Sequence, residues 1–161
     1  MKANTMSLLK TMIVAGSMFA AMLPGAALAQ NATRDVAKEE ANRTLVVEFY
    51  DRFFNQHETE QAAEAIADDY IQHNPEVRDG KEPFVSYFTG FFAENPGSRA
   101  RVVRSSTDGD LVWLHVHSRN SEDDLGQAVV DIFRVEDGRI VEHWDVIQNV
   151  PAEAANENTM F

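Results

Sequence analysis

The chain has 161 residues, 44% of them hydrophobic and 25% charged, with a formal net charge of −12 and no cysteine. That length suits one compact domain. The acidic balance argues against nucleic acid or an anionic membrane surface as a partner, and the missing thiols exclude disulfides, cysteine nucleophiles and thiolate-ligated zinc.

Residues 1–29 carry the marks of a secretory signal peptide. Lys2 and Lys10 precede an apolar run from Thr11 to Leu23, which ends in PGAALAQ with small residues at Ala27 and Ala29. The run is shorter than the roughly 18 apolar residues a spanning helix needs. Cleavage near Ala29 is expected, giving a secreted or periplasmic chain with no membrane segment in its mature form. Residues 30–42 read as a leader, 43–151 as the domain and 152–161 as a polar tail.

Ala41, Leu45, Val46, Phe49, Tyr50, Phe53 and Phe54 follow the three-and-four spacing of an amphipathic helix with an aromatic stripe. NQHETEQ interrupts it, with His57 expected in solvent. Ala62, Ala63, Ile66 and Ala67 then predict a short second helix capped near Thr59. Tyr70 to Asn74 is extended, because Pro75 biases the residue before it away from helix. A third helix runs from about Lys81 to Ala93, with Phe84, Tyr87, Phe88, Phe91 and Phe92 on one side. Beyond ENPG the period becomes two, over Arg99–Ser106, Leu111–Ser118, Gln127–Val135 and Arg139–Gln148. Asp108-Gly109 and Asp137-Gly138 supply hairpin turns. Helices followed by a four-strand antiparallel meander define an α+β class, with helices covering one face of a curved sheet around a hollow.

Val129, Asp131, Phe133 and Val135 share a strand face, so Asp131 sits among apolar neighbours, where an ionised and unpaired carboxylate would be costly. It needs a partner or a raised pKa. A two-residue turn at Asp137-Gly138 would pair Asp131 with Trp144, and a three-residue turn with a bulge would pair it with His143. His115 or His117 of the preceding strand lies within reach if the meander is simple. A desolvated carboxylate near an imidazole makes a general acid-base site; the plainer reading is an internal hydrogen-bond network that fixes the sheet. His115 and His117 also form an H-x-H pair that could join a metal site with a third ligand from His73, His143 or Asp131, although the spacing alone is weakly specific. His73 and Asn74 in YIQHNP read as turn chemistry or, for His73, as the rim of the hollow. No phosphate loop, nucleophile elbow or dinucleotide fingerprint is present, so no nucleotide or nicotinamide cofactor has a visible home.

YIQHNPEVRDGKEPFVSYF, GDLVWLHVHS and VVDIFRVEDGRIVEHWDVIQNVP together resemble the SnoaL-like polyketide cyclase branch of the nuclear transport factor 2-like (NTF2-like) superfamily, from Arg43 to about Pro151. The resemblance implies a cone-shaped α+β fold, a deep pocket between sheet and helices, and a homodimer built on the outer sheet face. It also implies cofactor-free aldol chemistry with a pocket aspartate as acid and base, matching Asp131. His115 would tune or relay the proton, with Tyr50, His73, His117 and Trp144 lining the pocket around a small hydrophobic molecule and no metal. Two other functions fit the same residues: a noncatalytic periplasmic binding protein, and a dimerisation module whose hollow is filled by its own phenylalanines.

Overall fold

The computed structural model describes residues 34–161; residues 1–33, where the expected signal peptide and the first residues of the expected leader fall, lie outside the described residues. Helix α1 spans Val36–Phe54 and starts ahead of its first apolar contact, because Asp35 caps it by accepting from the Lys38 N–H at 3.0 Å. One turn later Glu39 is buried against the strand Arg99–Asp108 and the turn that follows it. Its carboxylate pairs with Arg34 and accepts from Thr107 Oγ1 at 3.0 Å and from the Gly109 N–H at 3.3 Å. At the other end the Asn55 side chain bonds both backbone groups of Ala100, as a neighbouring strand would. Both ends of α1 are thus tied to the sheet.

The second helical segment is shorter than its periodicity suggests. It consists of α2, Thr59–Ala62, and one 3-10 turn, Ala63–Ala65. Ile66 and Ala67 open strand β1, Ile66–Gln72, which runs parallel to the last strand. Thr59 does not act as the cap. Glu58 occupies that position, and the Thr59 hydroxyl instead meets the Thr89 hydroxyl of helix α3, Lys81–Glu94, at 2.7 Å. His57 is half-buried and not free in solvent: its ring stacks on Phe92 at 4.1 Å and its Nε2 lies 3.2 Å from the Ser98 carbonyl.

The remaining strands are β2, Arg99–Asp108, β3, Leu111–Arg119, β4, Gln127–Glu136, and β5, Arg139–Asn149. The sheet order β1-β5-β4-β3-β2 makes a mixed five-stranded sheet in place of the expected four-strand meander. Asp137 and Gly138 both have positive φ, 48° and 73°, as a two-residue type I′ hairpin requires. Val135 then pairs with Ile140 but Arg134 with Glu142, so Val141 is an extra residue bulged out of β5. This overturns both expected registers: Asp131 lies opposite Asp145, not Trp144 or His143. Because side chains alternate, the bulge also turns His143 and Asp145 inward and Trp144 outward.

Between helices and sheet the core combines aliphatic residues of the strands with a cluster of aromatic rings. Phe53 stacks on Phe84 with centroids 5.0 Å apart, Phe54 meets Phe88 edge-on at 5.1 Å, and Phe49 and Tyr50 pack on Phe133. Each such ring contributes about 1.5–3 kcal/mol through the area it removes from water. Among the described residues no helix is long and apolar enough to cross a membrane.

Candidate active site

Asp131 lies in the middle of β4 and is 5% exposed, yet both its oxygens have partners. The Tyr50 hydroxyl of α1 donates to Oδ2 at 2.8 Å, and His143 Nε2 of β5 lies 3.0 Å from Oδ1. Burial, and then the Asp131 charge, push the Tyr50 phenol well above its usual pKa, so it remains a donor. His143 Nδ1 lies 2.8 Å from Gln72 Oε1, at the end of β1. The parallel pairing of β1 with β5 delivers that contact, because it sets Gln72 beside His143.

Asp145 stands directly opposite Asp131 on the same inner face, and unlike Asp131 it is only half-buried. Asn74 Nδ2 donates to its Oδ2 at 2.7 Å, and the Asn74 side-chain oxygen accepts from the Glu76 N–H at 2.9 Å. The segment after β1 therefore holds Asp145 from the solvent side. One ligand-capable atom each from Asp131, His143 and Asp145 falls within a 4.8 Å cluster. Burial and then both carboxylates push Tyr70 up as well. Chemically the group comprises two carboxylates and an imidazole, with neutral phenols and amides holding their outer sides.

Of the six residues singled out from sequence, the structure brings Asp131 and Tyr50 together and sets the other four on the opposite sheet face. In β3 it is Leu114 that pairs with Asp131, while His115 pairs with Val130 and points outward, where its Nδ1 meets Arg104 at 2.6 Å. His117 bonds the Leu125 carbonyl at 2.9 Å and stacks under Phe161, centroids 4.0 Å apart. His73 and Trp144 stack at 4.6 Å, nearly parallel, with Arg134 over the indole at 5.6 Å. Glu142 joins this outer cluster by bonding His73 and Arg134, each at 2.7 Å. Burial pushes the Glu142 carboxyl up, but Arg134 and His73 outweigh it and leave it below the usual range.

From sequence Asp145 and Gln72 had no role, Asn74 read as turn chemistry, and His143 entered as a register neighbour of Asp131 or a third metal ligand. Their common signal is period two: Tyr70 and Gln72 on one strand, His143 and Asp145 on the other. Two clefts of about 540 and 430 Å3 open at α2/α3 and beside the β3–β4 connection, and neither is lined by the cluster. The space next to Tyr50 is taken by Phe54, 4.5 Å away, and then by Phe88. Asp131, His143 and Asp145 offer a donor set that a divalent metal could use, but both Asp131 oxygens are already hydrogen-bonded and one Asp145 oxygen accepts from Asn74.

Helices followed by a curved, mixed five-stranded sheet make this chain an α+β cone of the NTF2-like fold. The model of the SnoaL-like polyketide cyclase family matches residues 44–156, and the chain belongs to that family. Among solved structures it is similar to a Kribbella flavida protein provisionally described as a ketosteroid isomerase: 21% identity, TM-score 0.61, covering 74% of this chain and 86% of that one. A SnoaL-like protein of unknown function from Burkholderia thailandensis gives 16% identity and TM-score 0.60, covering 69% and 97%. A loop truncation variant of IdmH gives 26% identity and TM-score 0.56, covering 66% and 91%. No curated protein matches the sequence.

Proposed function

We propose that the chain is an exported acid-base enzyme of cyclase or isomerase type, working without a cofactor on a small hydrophobic carbonyl compound. The observation that carries this reading is the inward convergence of Asp131, His143 and Asp145 within 4.8 Å, with only Asp145 half-open to solvent. Asp145 is the group a substrate meets first; it accepts a proton from the carbon next to the carbonyl. Asp131, closed off by Tyr50 and His143, sits behind it as part of the proton path. Entry requires the rings of Phe54 and Phe88 to move aside, and those rings set the apolar preference. General acid-base participation of this kind contributes typically 10²–10⁴-fold in rate. A homodimer across the outer sheet face, where Trp113, Val130 and Val146 are exposed, belongs to the same proposal.

A second reading follows from the full hydrogen bonding of Asp131: a noncatalytic protein that holds a small apolar ligand, with Asp145 only orienting it. Incubating the purified chain with a panel of enolisable ketones in heavy water separates the two. Deuterium appearing next to the carbonyl faster than in the buffer control supports the enzyme. A ketone retained tightly and recovered without deuterium supports the binding protein and overturns the catalytic reading.

A further inference from the structure

The hydrogen bonds around Gln72 fix where the protons of the site must be. Gln72 Oε1 lies 3.1 Å from the Asn74 backbone N–H and 2.8 Å from His143 Nδ1. A backbone N–H can only donate, so the Gln72 atom facing it is the carbonyl oxygen and not the amide nitrogen. A carbonyl oxygen only accepts. His143 Nδ1 must therefore carry a hydrogen, and the usual neutral tautomer, with Nε2–H and a bare Nδ1, is excluded by its own neighbour.

A second proton follows from the first. His143 Nε2 and Asp131 Oδ1 are 3.0 Å apart, and both are buried. With Nδ1 already protonated, a hydrogen bond between these two atoms needs one further proton, on the imidazole or on the carboxyl group. The pair then holds one proton more than a carboxylate beside an ordinary neutral histidine would. Tyr50, Tyr70 and Asp145 are the other titratable groups facing it. Both phenols are pushed up by burial and stay neutral, so the stored proton lies next to a single remaining carboxylate, Asp145.

We propose that Gln72 is a positioning residue that locks His143 with hydrogen on Nδ1 and thereby loads the His143–Asp131 pair with the proton that the reaction returns to substrate. The donor role rests on the acid-base reading above; the tautomer does not. In the step implied, Asp145 takes the proton from the carbon beside the carbonyl, the electron pair moves to form the carbon–carbon double bond, and the pair's proton goes to the carbonyl oxygen. What remains is an enol, a protonated Asp145, an Asp131 carboxylate and a neutral Nδ1–H imidazole, so protons and charge balance.

The test is nitrogen NMR of labelled histidine in the purified protein near neutral pH, with the His143 signals assigned by their loss in His143→Gln. The expected result is a protonated Nδ1 in the parent. In Gln72→Leu it should shift toward the bare Nδ1 form, with the proton-exchange rate on a reactive ketone falling at least roughly tenfold. Gln72→Glu keeps an acceptor in place and should restore the Nδ1–H signal. A parent spectrum with bare Nδ1 and Nε2–H overturns the proposal, even if Gln72→Leu does not fold. An unchanged Nδ1–H in Gln72→Leu overturns the assignment to Gln72. Because the spectrum is read without substrate, a protein that exchanges no ketone but shows Nδ1–H sinks the donor role and the enzyme reading while leaving the lock intact.

Discussion

Replacing Asp131 separates its structural contribution from its chemical one. In Asp131→Ala, two buried polar groups, the Tyr50 hydroxyl at 2.8 Å and His143 Nε2 at 3.0 Å, lose their hydrogen-bond partner together. An unsatisfied buried donor costs about 1–3 kcal/mol, so the pair amounts to about 2–6 kcal/mol, a large part of the roughly 5–15 kcal/mol that holds a domain of this size folded. Asp131→Asn keeps the shape. Its oxygen accepts from one donor, and its amide faces the other, where the Tyr50 hydroxyl can turn to accept; the expected cost is below about 1.5 kcal/mol. With a urea slope of about 2 kcal/mol per molar, the Asn variant should move the unfolding midpoint by less than about 0.8 M and the Ala variant by about 1–3 M. The Asn variant should nonetheless lose its proton-exchange activity by 10²-fold or more, because it cannot hold the shared proton. Equal midpoints for the two variants would refute the hydrogen-bond reasoning, since they would mean that neither donor depends on this carboxylate.

Glu39 supplies a pH signature. The hydrogen bond from Arg34 outweighs burial and holds its carboxyl at about 2, against an ordinary value of 4.5. A depressed carboxylate stabilises the fold above its unfolded pKa, and that contribution is lost as pH falls from about 4.5 through about 2. Glu39→Gln should flatten stability against pH in that window, as read by thermal melts. Gly126 has φ +78°, and a Cβ there would stand 2.1 Å from the Ser118 carbonyl oxygen. Gly126→Ala should therefore cost about 1–2 kcal/mol from the backbone alone, with the clash in addition, measured by urea unfolding. Phe161→Ala should remove the ring-current shift on the His117 ring without changing ketone exchange, because that stack lies on the outer face. Chelators should leave exchange unchanged, since Asp131 and Asp145 are already engaged by protein donors. Val146→Arg, at a residue 69% exposed on the outer face, should give a monomer by sedimentation if the proposed dimer uses that face.

The fold was legible because its local rules are strong. The aromatic stripe of α1 and Pro83 in the first turn of α3 each point to a helix, and Asp137-Gly138 marks a hairpin even though its register stays open. Asp131 was legible for the same reason, as a carboxylate in an otherwise apolar alternation. Its surroundings were not. Counting alternation back from buried Ile140 puts Glu142 and Trp144 inside, and only the bulge at Val141 turns His143 and Asp145 in their place. A bulge is one unpaired residue with no composition of its own, so nothing in RIVEHWDV announces it. His115 failed for a related reason. A histidine one strand away can approach Asp131 only if its position is in phase, and Leu114 is the residue in phase. Gln72 entered through a parallel pairing between segments about 70 residues apart, which no local pattern specifies.

The account stands on the inward-facing cluster being the chemical centre and on the outward histidines being outside it. Initial rates of deuterium uptake into one reactive ketone, compared for the parent, Asp145→Asn and His115→Ala, test this most directly. Asp145→Asn should be slower by about 10²-fold or more while His115→Ala matches the parent within about twofold. A fast Asp145→Asn alongside a slow His115→Ala would place the chemistry on the other face of the sheet and contradict the account.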